Sequence, residues 1–301
     1  MKSLRIKPVQ SISHVTRVRI RRIRMAYDYI NELQKVKEYY EGDPLQKRYS
    51  ALVTGETNSG KTWLLKTARK PIHIDSFDPG GTKGLLNEIK RGDIVADTQW
   101  EADDPFSPDK FAKWMKATDI RFTIGYFEKF GTYCLDSATT WADAVMSYGL
   151  AAKGRAGESP QHRHDYMPQK IHMTNYIKKL MRLPCDFILT GHLKENRKVI
   201  SIDAKSGVVR EEVNYRFLTT GQAVVTIPLL FDEIYVLTGK DGRGRTPKRE
   251  MLIDSLGTYI ARSRLKGNGK LSAIEEPNIK KLLKKAGLNW EDKPKLEFNN
   301  G

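Results

Sequence analysis

The sequence predicts an α/β fold in which a mostly parallel sheet is flanked by helices and preceded by a basic helical segment. Three observations carry that expectation. Short apolar runs recur between residues 49 and 239, as strands buried on both faces do. Longer stretches with apolar residues at helical spacing separate them. The first run leads at once into a glycine-rich turn and then into Trp63-Leu64-Leu65, a strand, turn and helix in immediate succession.

The first segment, residues 1–46, reads as an appendage. From Met1 to Met25 there are eight basic residues and no acidic one. Ile20, Ile23, Tyr27 and Ile30 share one face leading into a helix over 25–40, which Gly42, Asp43 and Pro44 end. An amphipathic basic helix of this kind packs on a core, contacts nucleic acid or binds a partner, and the residues leave all three open. From Tyr49 onward, strands are expected at 49–54, 71–75, 93–97, 132–136, 186–191, 223–227 and 233–239. Helices fit at 61–69, 108–117, 123–130, 139–150 and 167–182. Residues 198–213, with a turn at Lys205-Ser206-Gly207, and residues 249–265 have hairpin character. The core therefore spans 47–265, and 266–301 adds a short basic amphipathic helix and a loose polar tail from Glu291.

Composition narrows the function classes. The 301 residues are 39% apolar and contain no run long enough to cross a membrane. The basic N-terminus lacks the apolar stretch of a secretory signal, so a cytoplasmic location is expected. Cys134 and Cys185 lie in or beside apolar runs and read as reduced core residues. The net charge of +16, from 52 basic and 36 acidic residues, suits a polyanionic partner, nucleic acid first, although surplus lysine also serves solubility.

Residues 55–62, GETNSGKT, fit the pattern G-x-x-x-x-G-K-[ST]. Gly55, Glu56, Thr57, Asn58, Ser59 and Gly60 form the loop, whose glycines allow positive φ and close backbone approach to phosphate. Lys61 supplies a point charge to the outer phosphates, and the Thr62 hydroxyl suits Mg²⁺. Magnesium also needs a carboxylate at the end of a neighbouring strand. Asp136, closing the run Tyr133-Cys134-Leu135, is the expected ligand; Asp97 and Asp186 are rivals with less of that context. Asp75, Asp78 and Glu101 are acids placed to orient an attacking water, and the residues do not choose among them. His192 reads either as a sensor of the outer phosphate or as a core histidine.

With the phosphate loop, LDSATT at 135–140 and LTGH at 189–192 in place, the chain resembles the phage-encoded RecA-like ATPases of the single-strand-annealing and recombination type. The likeness spans residues 47–265, extending through TTGQAVVTIPLLFDEIYVL at 219–237 and YIARSR at 259–264. It implies a RecA-like P-loop core, ATP with Mg²⁺, binding of single-stranded DNA, a homo-oligomeric ring or filament, and action in the cytoplasm of an infected bacterium. Two loops would hold the strand, one with Lys153, Arg155 and Arg163, the other with Arg197 and Lys198. Arg262 and Arg264 would reach a neighbouring subunit's nucleotide. One departure matters: the family carries a catalytic glutamate after its second strand, and here Ser76, Phe77 and Asp78 stand there. Slow hydrolysis follows, or, in the alternative, an ATP-clamped protein that delivers a single-strand-binding, replication or packaging partner.

Overall fold

The computed structural model describes residues 29–43, 48–161, 163–202, 209–218, 226–240 and 248–297. Chain contacts divide it into two units, Met1–Lys47 and Arg48–Gly301. In the first, the described helix is α1 (Tyr29–Gly42), none of whose side chains is buried. Ile20, Ile23 and Tyr27 of the expected apolar face lie outside the described residues.

The second unit alternates strands and helices in the order β1 (Ser50–Gly55), α2 (Lys61–Leu65), β2 (Ile72–Ser76), α3 (Leu86–Lys90), β3 (Ile94–Asp97), α4 (Lys110–Thr123), β4 (Thr132–Asp136), α5 (Ala138–Ala151), α6 (Arg163–Leu180) and β5 (Asp186–Ile202). There follow β6 (Val209–Phe217), β7 (Glu233–Lys240), β8 (Lys248–Leu252), β9 (Arg262–Ser263), β10 (Ile274–Glu275) and α7 (Ile279–Ala286). Among the described residues the strands form one path, β10-β8-β7-β1-β5-β4-β2-β3, with β6 paired to β5 and β9 to β7. Strands β7, β1, β5, β4, β2 and β3 are mutually parallel.

Every residue of β1 is buried, because helices cover both faces of the sheet. Period-two alternation sends Leu52, Tyr133, Leu135, Phe187 and Leu189 to the face where Trp114, Trp141 and Ile177 of α4, α5 and α6 pack. Ala51, Val53, Ile74 and Ile188 point the other way, against Leu64 and Leu65 of α2 and Leu282 and Leu283 of α7. Each valine, leucine or isoleucine side chain among them contributes about 1.5–3 kcal/mol on burial. The chain leaves β1 toward β2 and β3, returns through β4 and β5, and only then crosses to β7 on the other side of β1. The order of connection reverses at β1, and a crevice opens beyond the carboxyl ends there.

Several expected boundaries move. The helix after the glycine-rich loop covers Lys61–Leu65, not 61–69, and residues beyond it turn tightly, with the Ala68 amide on the Leu65 carbonyl at 3.0 Å. Expected helix 123–130 is a short 3₁₀ turn at Tyr126–Lys129, because Gly125 takes φ 68° and stops α4. Of expected strand 223–227, residues 223–225 lie outside the described residues, and Ile227 leads into a 3₁₀ turn at Pro228–Leu230. The two halves of 249–265 do not pair with each other: β8 joins β7 and β10, and β9 joins β7. Strand β5 runs to Ile202, forming one long hairpin with β6 whose Lys205-Ser206-Gly207 turn is outside the described residues. The polar tail packs rather than trailing. Asp292 accepts from the Lys70 amide at 2.8 Å, and the Lys293 amide donates to the Lys70 carbonyl at 2.8 Å.

Candidate nucleotide site

The loop from Gly55 to Gly60 turns through two left-handed residues, Asn58 at φ 65° and Gly60 at φ 96°. The Leu64 amide bonds the Gly60 carbonyl at 2.9 Å, so the amides of Lys61, Thr62 and Trp63 precede the first bond within the helix and face outward. With α2 only five residues long, these free amides, more than a helix dipole, make the loop attractive to an anion. Lys61 is buried and curls back, donating to the carbonyls of Gly55 at 3.0 Å and Glu56 at 2.8 Å. Burial lowers its pKa; the negative charges of Asp136, Asp78 and Glu56 offset part of that.

Thr62 donates its hydroxyl to Asp136 Oδ2 at 2.7 Å, while Thr190 at the end of the β5 core segment donates to Asp136 Oδ1. Register explains the meeting. Gly55 of β1 lies beside His192 of β5, and Asp136 of β4 lies beside Ser76 of β2, so all reach the same carboxyl edge. Burial raises the Asp136 pKa, with hydrogen bonds from Thr190 and Thr62 acting against it. A buried carboxylate touching a hydroxyl, both hard oxygen donors at the end of a phosphate loop, is a donor set that fits Mg²⁺.

Asp78 stands beside this pair. The amides of Phe77 and Asp78 bond the Asp136 carbonyl, at 2.6 and 3.4 Å, which anchors the turn after β2. The Asp78 carboxylate accepts from Ser137 at 2.8 Å and Thr140 at 2.5 Å, and lies 3.8 Å from His192 Nε2. Burial would raise its pKa, but His192, Thr140 and Ser137 together hold it below the usual carboxylate value. His192 Nδ1 is 3.5 Å from Lys61 Nζ. Lys61, Thr62, Asp136, Asp78 and His192 thus converge. A cleft of about 670 Å³ opens over them, within the size range of small-ligand sites.

Other expected residues go elsewhere. Asp75 has the right place in the chain but the wrong face, and so does not join the cleft. It is fully buried and accepts from Trp100 at 3.0 Å, Trp114 at 2.8 Å, Tyr133 at 2.6 Å and Arg121 at 3.0 Å, with His73 at 2.9 Å. His73, Asp75 and Asp97 come close enough to suggest a metal cluster, but the Arg121 guanidinium bonds both acids and takes the cation's place. Asp186 opens β5 at the opposite edge and pairs with Arg69 at 3.1 Å, which removes it as a rival metal ligand. Glu101 braces the 78–81 turn by accepting from Ser76 at 2.7 Å and the Gly80 amide at 2.8 Å.

The expected nucleic-acid residues also separate. Lys153 and Arg155 fold onto Asp165, at 2.8 and 2.9 Å, and close their own loop. The side chains of Arg163 and Lys198 lie outside the described residues. Arg197 sits on β5 beside Glu195, on a strand rather than the expected loop. Arg262 donates to the carbonyl of Phe231 at 2.6 Å and Arg264 to Asp232 at 2.5 Å, both within the chain. Residues that sequence reasoning missed are Thr140, which holds Asp78, and Arg249 of β8, which lines the cleft. Only strand register could have brought Arg249 there.

One solved structure, of a prototypical ATPase from the type III secretion system of pathogenic bacteria, is similar over 75% of this chain and 55% of its own, at 17% identity and a TM-score of 0.42. A likeness of that degree bears no functional weight. No match is found among curated proteins. The model of a family described as an AAA domain matches residues 47–265, from just before β1 to just past β9. That stretch holds the loop, Asp136 and the crevice between them, and on it the chain belongs to the AAA domain family of P-loop ATPases.

Proposed function

We propose that the protein is a slow, Mg²⁺-dependent ATP hydrolase that single-stranded nucleic acid stimulates, acting in strand annealing or recombination as a homo-oligomer. The observation that carries the reading is the meeting of Thr62 and Asp136 at 2.7 Å under a cleft that also holds Lys61, Asp78 and His192. Thr62 and Asp136 would hold the magnesium, which when bound neutralises charge on the outer phosphates. Lys61, held in place by its two loop carbonyls, turns its remaining N–H toward the β- and γ-phosphates. Asp78 orients a water for in-line attack on the γ-phosphorus, so that the new P–O bond forms as the bond to the bridging oxygen breaks. Its low pKa makes it a weak base, and slow turnover follows.

The nucleic-acid part of the reading rests on charge and continuity. The chain carries +16, and β5 passes without interruption from His192 into the hairpin bearing Lys194, Arg197 and Lys198 on one strand and Arg210 and Arg216 on the other. A shift at His192 on losing phosphate has a direct path to those positions. Contacts from lysine and arginine to backbone phosphates give affinity that falls with salt and carries little sequence preference.

Turnover measured with no nucleic acid, single strands, duplex and RNA, at several salt concentrations, tests this. Stimulation by single strands that salt abolishes is the expected result. Tight ATP binding with negligible turnover under every condition would instead establish an ATP-clamped loading protein. In the same assay Asp78→Asn is expected to lower turnover by about 10²–10⁴-fold while ATP affinity changes only a few-fold. Unchanged turnover would remove Asp78 from the water-orienting role.

A further inference from the structure

We propose that Arg249 is a second phosphate-binding cation of the cleft, supplied by the same chain from the flank opposite Asp136. The inference rests on the nucleotide reading above and adds to it a residue outside the loop pattern. Strand register places Arg249 first. Gly55, the last residue of β1, lies beside Leu237 of β7, and Arg249 of β8 lies beside Gly239, two residues further along. Arg249 therefore stands just beyond the end of β1, level with the loop. Alternation along β8 sets its direction. Met251 is buried in the cluster that contains Leu64 and Leu65 of α2, and Arg249, two residues earlier, shares that face.

The side chain reaches the loop itself. A Cβ built on Gly60 would stand 2.9 Å from Arg249 Cδ and Nε and 3.0 Å from Cζ. Gly60 is favoured by its φ of 96°, and its bare Cα leaves the arginine room to lie across it. Arg249 lines the same cleft as Lys61, Asp78 and His192. Among the described residues its guanidinium has no hydrogen-bond or ion-pair partner, whereas the Lys61 ammonium is satisfied by the Gly55 and Glu56 carbonyls and Lys66 pairs with Glu88 at 3.5 Å. A guanidinium without a partner among the described residues, at the mouth of a cleft lined for anions, is a fork that suits phosphate oxygens.

The sheet order divides the work. Asp136 and His192 come from β4 and β5, on one side of β1, and Arg249 comes from β8 by way of β7, on the other. A phosphate chain seated on the loop amides would lie between them. Because Arg249 approaches from the side away from the metal-ligating carboxylate, it grips phosphates that ADP and ATP share and strengthens both alike.

Calorimetric titration of ADP and of Mg²⁺-ATP into the full-length protein, Arg249→Ala and Arg249→Lys tests this, with displacement of a fluorescent ADP by pyrophosphate as the phosphate-only arm. Arg249→Ala is expected to bind both nucleotides and pyrophosphate roughly 10- to 100-fold more weakly. Arg249→Lys, which keeps the charge and loses the fork, should fall between. Melting temperatures without nucleotide should agree among all three proteins, since the side chain is exposed, and a shared loss of nucleotide-induced stabilisation would separate binding from folding. Wild-type affinity in both variants overturns the inference and leaves the nucleotide reading standing. A penalty for ADP with none for pyrophosphate also overturns it, placing Arg249 on the base or ribose. A wild-type protein that binds neither nucleotide removes the nucleotide reading, and this inference with it.

Discussion

Replacing Lys61 by alanine is expected to weaken ATP and ADP binding by roughly 100-fold or more, the loss typical of removing a buried, hydrogen-bonded charge from a complex. Lys61 is buried beneath the loop with its ammonium on two carbonyls of that same loop, so the group is held where the phosphates must sit. An exposed lysine would lose conformational freedom on binding; this one is already ordered. Calorimetry reads the effect directly, and thermal melting without ligand checks that the variant folds. Retained affinity in a folded Lys61→Ala protein would mean that phosphate does not lie on this loop at all.

Substitution of Asp75 is expected to act on stability instead. Asp75→Ala should cost about 3–5 kcal/mol in chemical denaturation, because it leaves a partly buried arginine, two buried indole N–H groups and a tyrosine hydroxyl without their common acceptor. The pH dependence follows from the same partners. Burial alone would raise the Asp75 pKa, but the charges of His73 and Arg121 and the hydrogen bonds from His73 and Tyr133 hold it well below the usual carboxylate value. A carboxyl whose pKa falls on folding contributes stability that is fully present above its unfolded value, about 3.9, and is lost as pH drops through its folded value. The wild type should therefore lose stability steeply below about pH 4, and Asp75→Asn should show a shallower acid limb. In conditions where the variant is folded, its ATP affinity should match the wild type. A nucleotide defect without a stability defect would return Asp75 to the cleft.

Asp75 and Asp78 together show where legibility ends. Both follow the second strand in HIDSFDPGG, and both are the residue type that orients water. What separates them is alternation plus partners from afar: Trp100, Trp114, Arg121 and Tyr133 claim Asp75, while Ser137, Thr140 and His192 claim Asp78. The basic loop at 151–166 shows the same limit from another side. Its composition suggested a grip on nucleic acid, yet Lys153 and Arg155 neutralise Asp165 within the loop.

By itself the sequence determined the parallel core, the phosphate loop and the strand-end carboxylate Asp136, because each is written in residues adjacent in the chain: an apolar run, glycines at a set spacing, an acid where the run stops. Tertiary structure alone decided that Asp75 braces the core, that Asp78 faces the cleft, and that Arg249 lies across Gly60. Those outcomes depend on which strands become neighbours and in what register. Register is set by the burial of whole faces at once, which no local stretch of chain encodes.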